Sequence, residues 1–116
     1  MPTSDSDWKN YNHLYDLALD RFCQGVLANA QTIAQNDALS AQARYRTLYR
    51  FMRNRDKDMA MAFNVGRRRE ISLSLRLMIA YDLLDDQELA VLSDELRERI
   101  SDAVRQPYEI EWAEDA

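Results

Sequence analysis

The chain has 116 residues and a mass of 13.6 kDa, enough for one domain with one modest core. Hydrophobic residues make up 47% and charged residues 30%, as in ordinary soluble domains, and the net charge is −5. Two glycines and two prolines disfavour a turn-rich β fold, one cysteine excludes an internal disulfide or a cysteine-held zinc, and one histidine leaves little for imidazole chemistry.

Apolar spacing predicts helices throughout. Ser4 to Asp7 supply N-cap side chains, and Trp8, Tyr11, Tyr15, Ala18, Leu19, Phe22, Val26, Ala30 and Ile33 then recur in steps of three and four. Asn36-Asp37 is the stop. Gly25 lies within this helix, either simply tolerated or admitting a close backbone. A second helix starts near Ser40, with an apolar face of Tyr45, Leu48, Tyr49, Met52, Met59, Ala60 and Phe63. Asp56 interrupts that face, so the helix bends there or Asp56 pairs with an arginine. Asn64-Val65-Gly66 provides its C-terminal stop.

The third segment, Ile71 to Leu84, is apolar nearly all round, the pattern of a helix enclosed in a core or an interface. Full enclosure is demanding for a chain this short, and a homodimer would cover one side. Asp85 and Glu88 have capping-box spacing and open a fourth helix, whose stripe is Leu89, Leu92, Leu96, Ile100 and Ala103. Pro107 ends it. The expected architecture is therefore all-α, about four helices in a compact bundle, dimeric, with one helical domain over residues 1–106. Residues 107–116 form an acidic-aromatic tail. In it Tyr108, Ile110 and Trp112 alternate with Glu109 and Glu111, a period of two that suits an extended segment docked on this or another subunit.

Charge is segregated along the chain. Residues 1–43 carry two basic and five acidic side chains, residues 44–69 nine basic and two acidic, and residues 70–116 four basic and thirteen acidic. Arg46, Arg50, Arg53 and Lys57 form one stripe beside the Tyr/Met face, and Arg67, Arg68 and Arg69 stand at the start of the third helix. Cations there oppose the helix dipole and need a counter-charge. Nucleic-acid phosphate, an acidic protein surface, or the chain's own acidic half would each provide it. The overall acidity counts against DNA. A helix-turn-helix reader through Val65-Gly66 fails because Ile71 to Leu84 lacks polar side chains for base edges.

Catalytic groups are scarce. His13 and Cys23 are ten residues apart on one helix, about 15 Å along its axis, too far for a nucleophile pair. No glycine-rich phosphate loop is present. His13-x-x-Asp16 lacks the repeated Glu-x-x-His of di-iron bundles. Asp82 with Asp85 and Glu95 with Glu98 have the spacing of magnesium-binding pairs in all-helical nucleotide pyrophosphatases, but read more simply as solvated helix surface. The reading is of a protein without catalytic, cofactor or metal sites. Its binding candidates are Tyr45, Arg46, Tyr49, Arg50, Met52, Arg53, Lys57, Arg67, Arg68, Arg69, Tyr108, Ile110 and Trp112. Met repacks easily and Tyr has a polar end, which suits an adaptable protein interface.

No apolar run approaches the ~18–20 residues of a bilayer span. The acidic, polar start is unlike a secretory signal, which makes the cytoplasm the expected location. In length, acidity and all-helical, dimer-like pattern, the whole chain is similar to the small quorum-sensing anti-activators of the QslA-like type. That resemblance implies a cytoplasmic dimer that binds a transcription factor, a LuxR-type quorum-sensing receptor, and blocks its dimerisation or DNA binding. It transfers no residue position by position. The competing reading is a nucleic-acid-binding protein using the basic stripe.

Overall fold

The structure, a computed structural model, describes residues 3–64 and 70–114. Arg67, Arg68, Arg69 and the expected Val65-Gly66 helix stop lie outside the described residues. All regular structure in the described residues is helical: α1 (Asp5–Ala34), α2 (Ala41–Phe63), α3 (Ile71–Ala80), α4 (Asp86–Leu89) and α5 (Asp94–Arg99). Among them, then, there are five helices rather than about four.

Local chemistry sets the boundaries. The Ser4 hydroxyl accepts the Asp7 amide at 3.1 Å and starts α1. Asn36 closes it with a side-chain turn onto the Ala38 amide, and Ser40 then caps α2 through the Ala43 amide. Gly25 faces open space: a Cβ built there meets nothing within 4 Å. No backbone approaches it, so Gly25→Ala is expected to stabilise the chain by about 0.5–1 kcal/mol. A higher melting temperature would check this.

The third helix is shorter than its apolar run. It ends at Ala80, not Leu84, because Asp82 adopts φ 59° and the Asp82 and Leu83 amides return to the carbonyls of Ile79 and Met78. This Schellman turn folds Leu83 and Leu84 back into the core. The helix is also covered on one side rather than all round. Ile71, Leu75, Met78 and Ile79 are buried, whereas Leu73 is exposed.

The fourth expected helix divides into α4 and α5. Both arms of the Asp85/Glu88 capping box form. Ser93 then starts a new helix by accepting the Leu96 amide. Buried Asp7 accepts both the Ser93 amide and its hydroxyl, tying the start of α1 to the start of α5. Leu89, Leu92, Leu96 and Ile100 are buried on either side of the break, so the leucine spacing survives the division.

The core gathers at one end. Tyr11, Leu14, Ala18 and Phe22 pack with Phe63, Leu75, Met78 and the leucines that follow. At its centre the Tyr11 phenol meets the Ser74 hydroxyl at 2.9 Å, and Ser74 donates to the Ala62 carbonyl. Burial pushes the Tyr11 phenol up from its ordinary value. The second half of α1 and the first half of α2 extend beyond this core as a two-helix arm. The molecule measures 53 × 26 × 21 Å, with a radius of gyration of 16.7 Å. A compact domain of this length has roughly 13 Å, so the expected compact bundle is elongated instead.

Candidate protein-binding surface

The arm decides which side chains are available. The buried positions of α2 are Ala43, Thr47, Phe51, Arg55, Ala62 and Phe63. Most of the expected apolar face is therefore turned outward. Tyr45 is 72% exposed, Tyr49 58% and Met52 40%. Phe63 is buried at the core end of this stripe and Met59 packs partly against it. The reason is what covers α2. Its inner face meets α1 on one side and the C-terminal segment on the other, and small or polar Ala43 and Thr47 fit that narrow contact.

The C-terminal segment lies on its own chain. The Gln106 amide donates to the Ala80 carbonyl at 2.7 Å, and the Ala113 amide to Thr47 Oγ1 at 2.9 Å. The Tyr108 ring meets Phe51 edge-on at 5.4 Å. Tyr108 and Ile110 are half-buried, with Glu109 and Glu111 exposed between them. Trp112 breaks the alternation: it is 40% exposed, and Ala113 takes the buried place.

Arg55 is the anchor of this arrangement. Its side chain is 9% exposed and pairs with Asp58 at 2.9 Å. The guanidinium sits 4.5 Å from the Phe22 ring centre, 5.4 Å from Tyr81 and 4.4 Å from Tyr108. One cation thus joins α1, α2, the turn after α3 and the C-terminal segment. Burial raises the Tyr81 phenol, against a smaller opposing pull from Arg55.

Arg46, Arg50, Arg53 and Lys57 of α2 face solvent, whereas Arg44 is half-buried and donates to the Ala34 carbonyl at 2.8 Å. Among the described residues, no ion pair links Arg46, Arg50, Arg53 or Lys57 to an acidic side chain. Arg46 donates to the Glu114 backbone carbonyl at 2.8 Å, and Arg53 lies over the Tyr49 ring at 5.7 Å. The four arginines of residues 70–116 pair instead with carboxylates of that same half. Arg76 pairs with Asp102, Arg97 with Asp94, Arg99 with Glu95, and Arg105 with Asp82 and Asp86. Arg21 forks onto Glu88 at 2.7 and 2.9 Å and holds its carboxyl below the usual carboxylate range. Internal pairing of the basic stripe with the acidic half is therefore not what the described residues form.

Three of the four candidate magnesium carboxylates are engaged in structure. Asp82 and Glu95 face arginines, and Asp85 caps α4. No group of three or more His, Cys, Asp or Glu side chains converges among the described residues. No described helix is long and apolar enough to cross a membrane.

Between α1 and α2 runs an apolar groove of about 320 Å³, lined by Phe22, Cys23, Val26, Leu27, Met52, Arg55, Asp56 and Met59. Leu27, at its edge, is 69% exposed. Leu27 was not among the residues expected from the sequence, since it follows Val26 directly and so leaves the three-four pattern. The signal was the width of the cluster: Cys23, Val26 and Leu27 together broaden the apolar stripe of α1 beyond what one contact needs. Asp56 pairs with no arginine among the described residues and borders this groove, within a helix that runs unbroken from Ala41 to Phe63. No protein-family model, curated protein or solved structure matches the chain.

Proposed function

We propose that this chain is a non-catalytic binding protein that docks on a bacterial regulator through the outer face of α2. The observation that carries this reading is the stripe of Tyr45, Tyr49 and Met52 held in solvent beside Arg46, Arg50, Arg53 and Lys57. Tyr, Met and Arg are enriched at the centres of protein interfaces, where they give apolar area with adaptable polar ends. The complementary partner is an acidic surface with apolar anchors at helical spacing. The anti-activator resemblance adds the kind of target, a LuxR-type transcription factor whose dimerisation or DNA binding is blocked, and the cytoplasm as the location.

Direct nucleic-acid binding is the second reading, favoured by the same four cations, which meet no acidic side chain among the described residues. The two separate cleanly by experiment. Affinity capture from bacterial lysate with and without nuclease is expected to retain one regulator after nuclease treatment. Replacing Arg46, Arg50 and Arg53 by Glu is expected to weaken that capture by about 10- to 100-fold, the range for losing several complementary charges. Capture of nucleic acid alone, with a steep loss of affinity in salt, would overturn the reading in favour of phosphate contact.

A further inference from the structure

We infer that the C-terminal segment is an internal competitor for a partner: it covers the Thr47–Phe51–Arg55 flank of α2, and a partner bearing an acidic stretch with an aromatic ring takes its place. The inference rests on the reading above that α2 is the docking helix, and it extends that face beneath the segment. What the flank accepts is visible in what lies on it. Residues 108–114 run antiparallel to α2, with Tyr108 at Phe51 and Arg55, the Ala113 amide on Thr47 and the Glu114 carbonyl on Arg46.

The covered flank adjoins the exposed one. Thr47, Phe51 and Arg55 recur every four residues, and Arg46 and Arg50 immediately precede the first two, so the two stripes are neighbours round the helix. Phe51 is 2% exposed with Tyr108 against it, whereas Tyr45 and Tyr49 stand in solvent. Release of the segment therefore adds Phe51 and an open side of Arg55 to the Tyr, Met and Arg stripe. The segment also has the partner's chemistry. Tyr108, Ile110 and Trp112 alternate with Glu109 and Glu111, which is the kind of acidic, apolar-anchored surface that complements the arginine stripe.

The segment is lightly held. Residues 103–114 have no regular structure, and among the described residues the backbone groups of 107–112 make no hydrogen bond. Its seat is made by side chains, Tyr108 and Ile110 half-buried and Ala113 buried, with backbone bonds near its two ends. A stretch with few buried contacts and a solvated backbone opens at less cost than the helices around it. A short tether holds such a segment at an effective concentration of about millimolar. A partner's apparent affinity is then reduced to the fraction of chains with the segment released.

The test is binding of a fluorescently labelled synthetic peptide of residues 106–116 to the full chain, followed by anisotropy. Wild type is compared with Tyr108→Ala and Ala113→Arg, which loosen the chain's own segment and leave the residues of the α2 flank unchanged. Thermal unfolding checks that each variant is folded. Ala113→Arg keeps Tyr108 in the Arg55 cage and so serves if loss of that ring unfolds the chain. Each variant is expected to bind the peptide at least about tenfold more tightly than wild type does. A peptide carrying Tyr108→Ala is expected to lose at least about tenfold on every chain. Equal peptide affinity in wild type and the loosened chains, or no binding to any of them at about 1 mM, overturns the inference and leaves the outer-face reading standing. A solution mass of two chains that falls to one in Tyr108→Ala assigns the flank to the exchanged segment of a second copy and also overturns it. Peptide binding as expected, with no regulator captured, supports this site and overturns only the regulator as its partner.

Discussion

Replacing Arg55 by alanine is expected to destabilise the fold by about 2–4 kcal/mol, the largest effect of any single substitution considered. Two costs combine. Alanine leaves a void among Phe22, Tyr81 and Tyr108, and the lining side chains relax into such a void only in part. It also strips Asp58, itself half-buried, of its cation. At this chain length each kcal/mol moves the melting temperature by about 4 °C, so a fall of roughly 8–16 °C is expected. Arg55→Met separates the two costs. Its side chain fills much of the void while giving up the charge and the flat stacking of the guanidinium, and about 1–2 kcal/mol is expected. Arg55→Lys keeps the charge and loses the plane. Urea unfolding with the slope checked for constancy gives all three values. A loss under about 1 kcal/mol for the alanine variant would show that the cage is incidental packing around a solvated cation.

Arg55 also shows where sequence reading reaches and where it stops. Helix starts were legible because caps are local: Ser4, Ser40 and the Asp85/Glu88 pair each act within three residues of themselves. The core face of α1 was legible because aromatic and aliphatic residues repeat along it. The orientation of α2 was not. Spacing alone leaves the face of Tyr45, Tyr49 and Met52 open between core and partner interface, and it is Thr47 and Arg55 that take the inner positions. What decides it is non-local: Thr47 accepts an amide sixty-six residues away, and Arg55 needs three rings from three other segments. The break at Ser93 was hidden for a related reason. Leu89, Leu92 and Leu96 keep helical spacing across two short helices, and only the distant Asp7 carboxylate reveals the new start. The basic stripe was read correctly as a stripe. That it meets no acidic side chain among the described residues was not legible, because tertiary placement decides which carboxylates reach which arginines.

Deleting residues 107–116 is expected to lower stability by about 2–3 kcal/mol. Several contacts go together. The edge-on Tyr108–Phe51 pair contributes about 0.5–1.5 kcal/mol beyond its burial. The Tyr108–Arg55 contact, well shielded from water, adds about 1–2. The Ala113 amide bond to Thr47 adds about 1. Freedom regained by the released segment offsets part of this. Tyr108→Ala in the full chain is expected to reproduce most of the loss, whereas Trp112→Ala, at a ring 40% exposed and with no contact to the Arg55 cage, is expected to cost less. The decisive measurement joins this deletion to Arg55. If Arg55 anchors the segment through Tyr108, the Arg55→Ala cost must shrink by about 1–2 kcal/mol in the shortened chain, because one wall of its cage is already gone. Strict additivity would mean that the arginine stabilises α1 and α2 alone. The segment would then be held by Phe51 and Thr47, and its removal would leave the arginine's ion pair and its contact with Phe22 untouched.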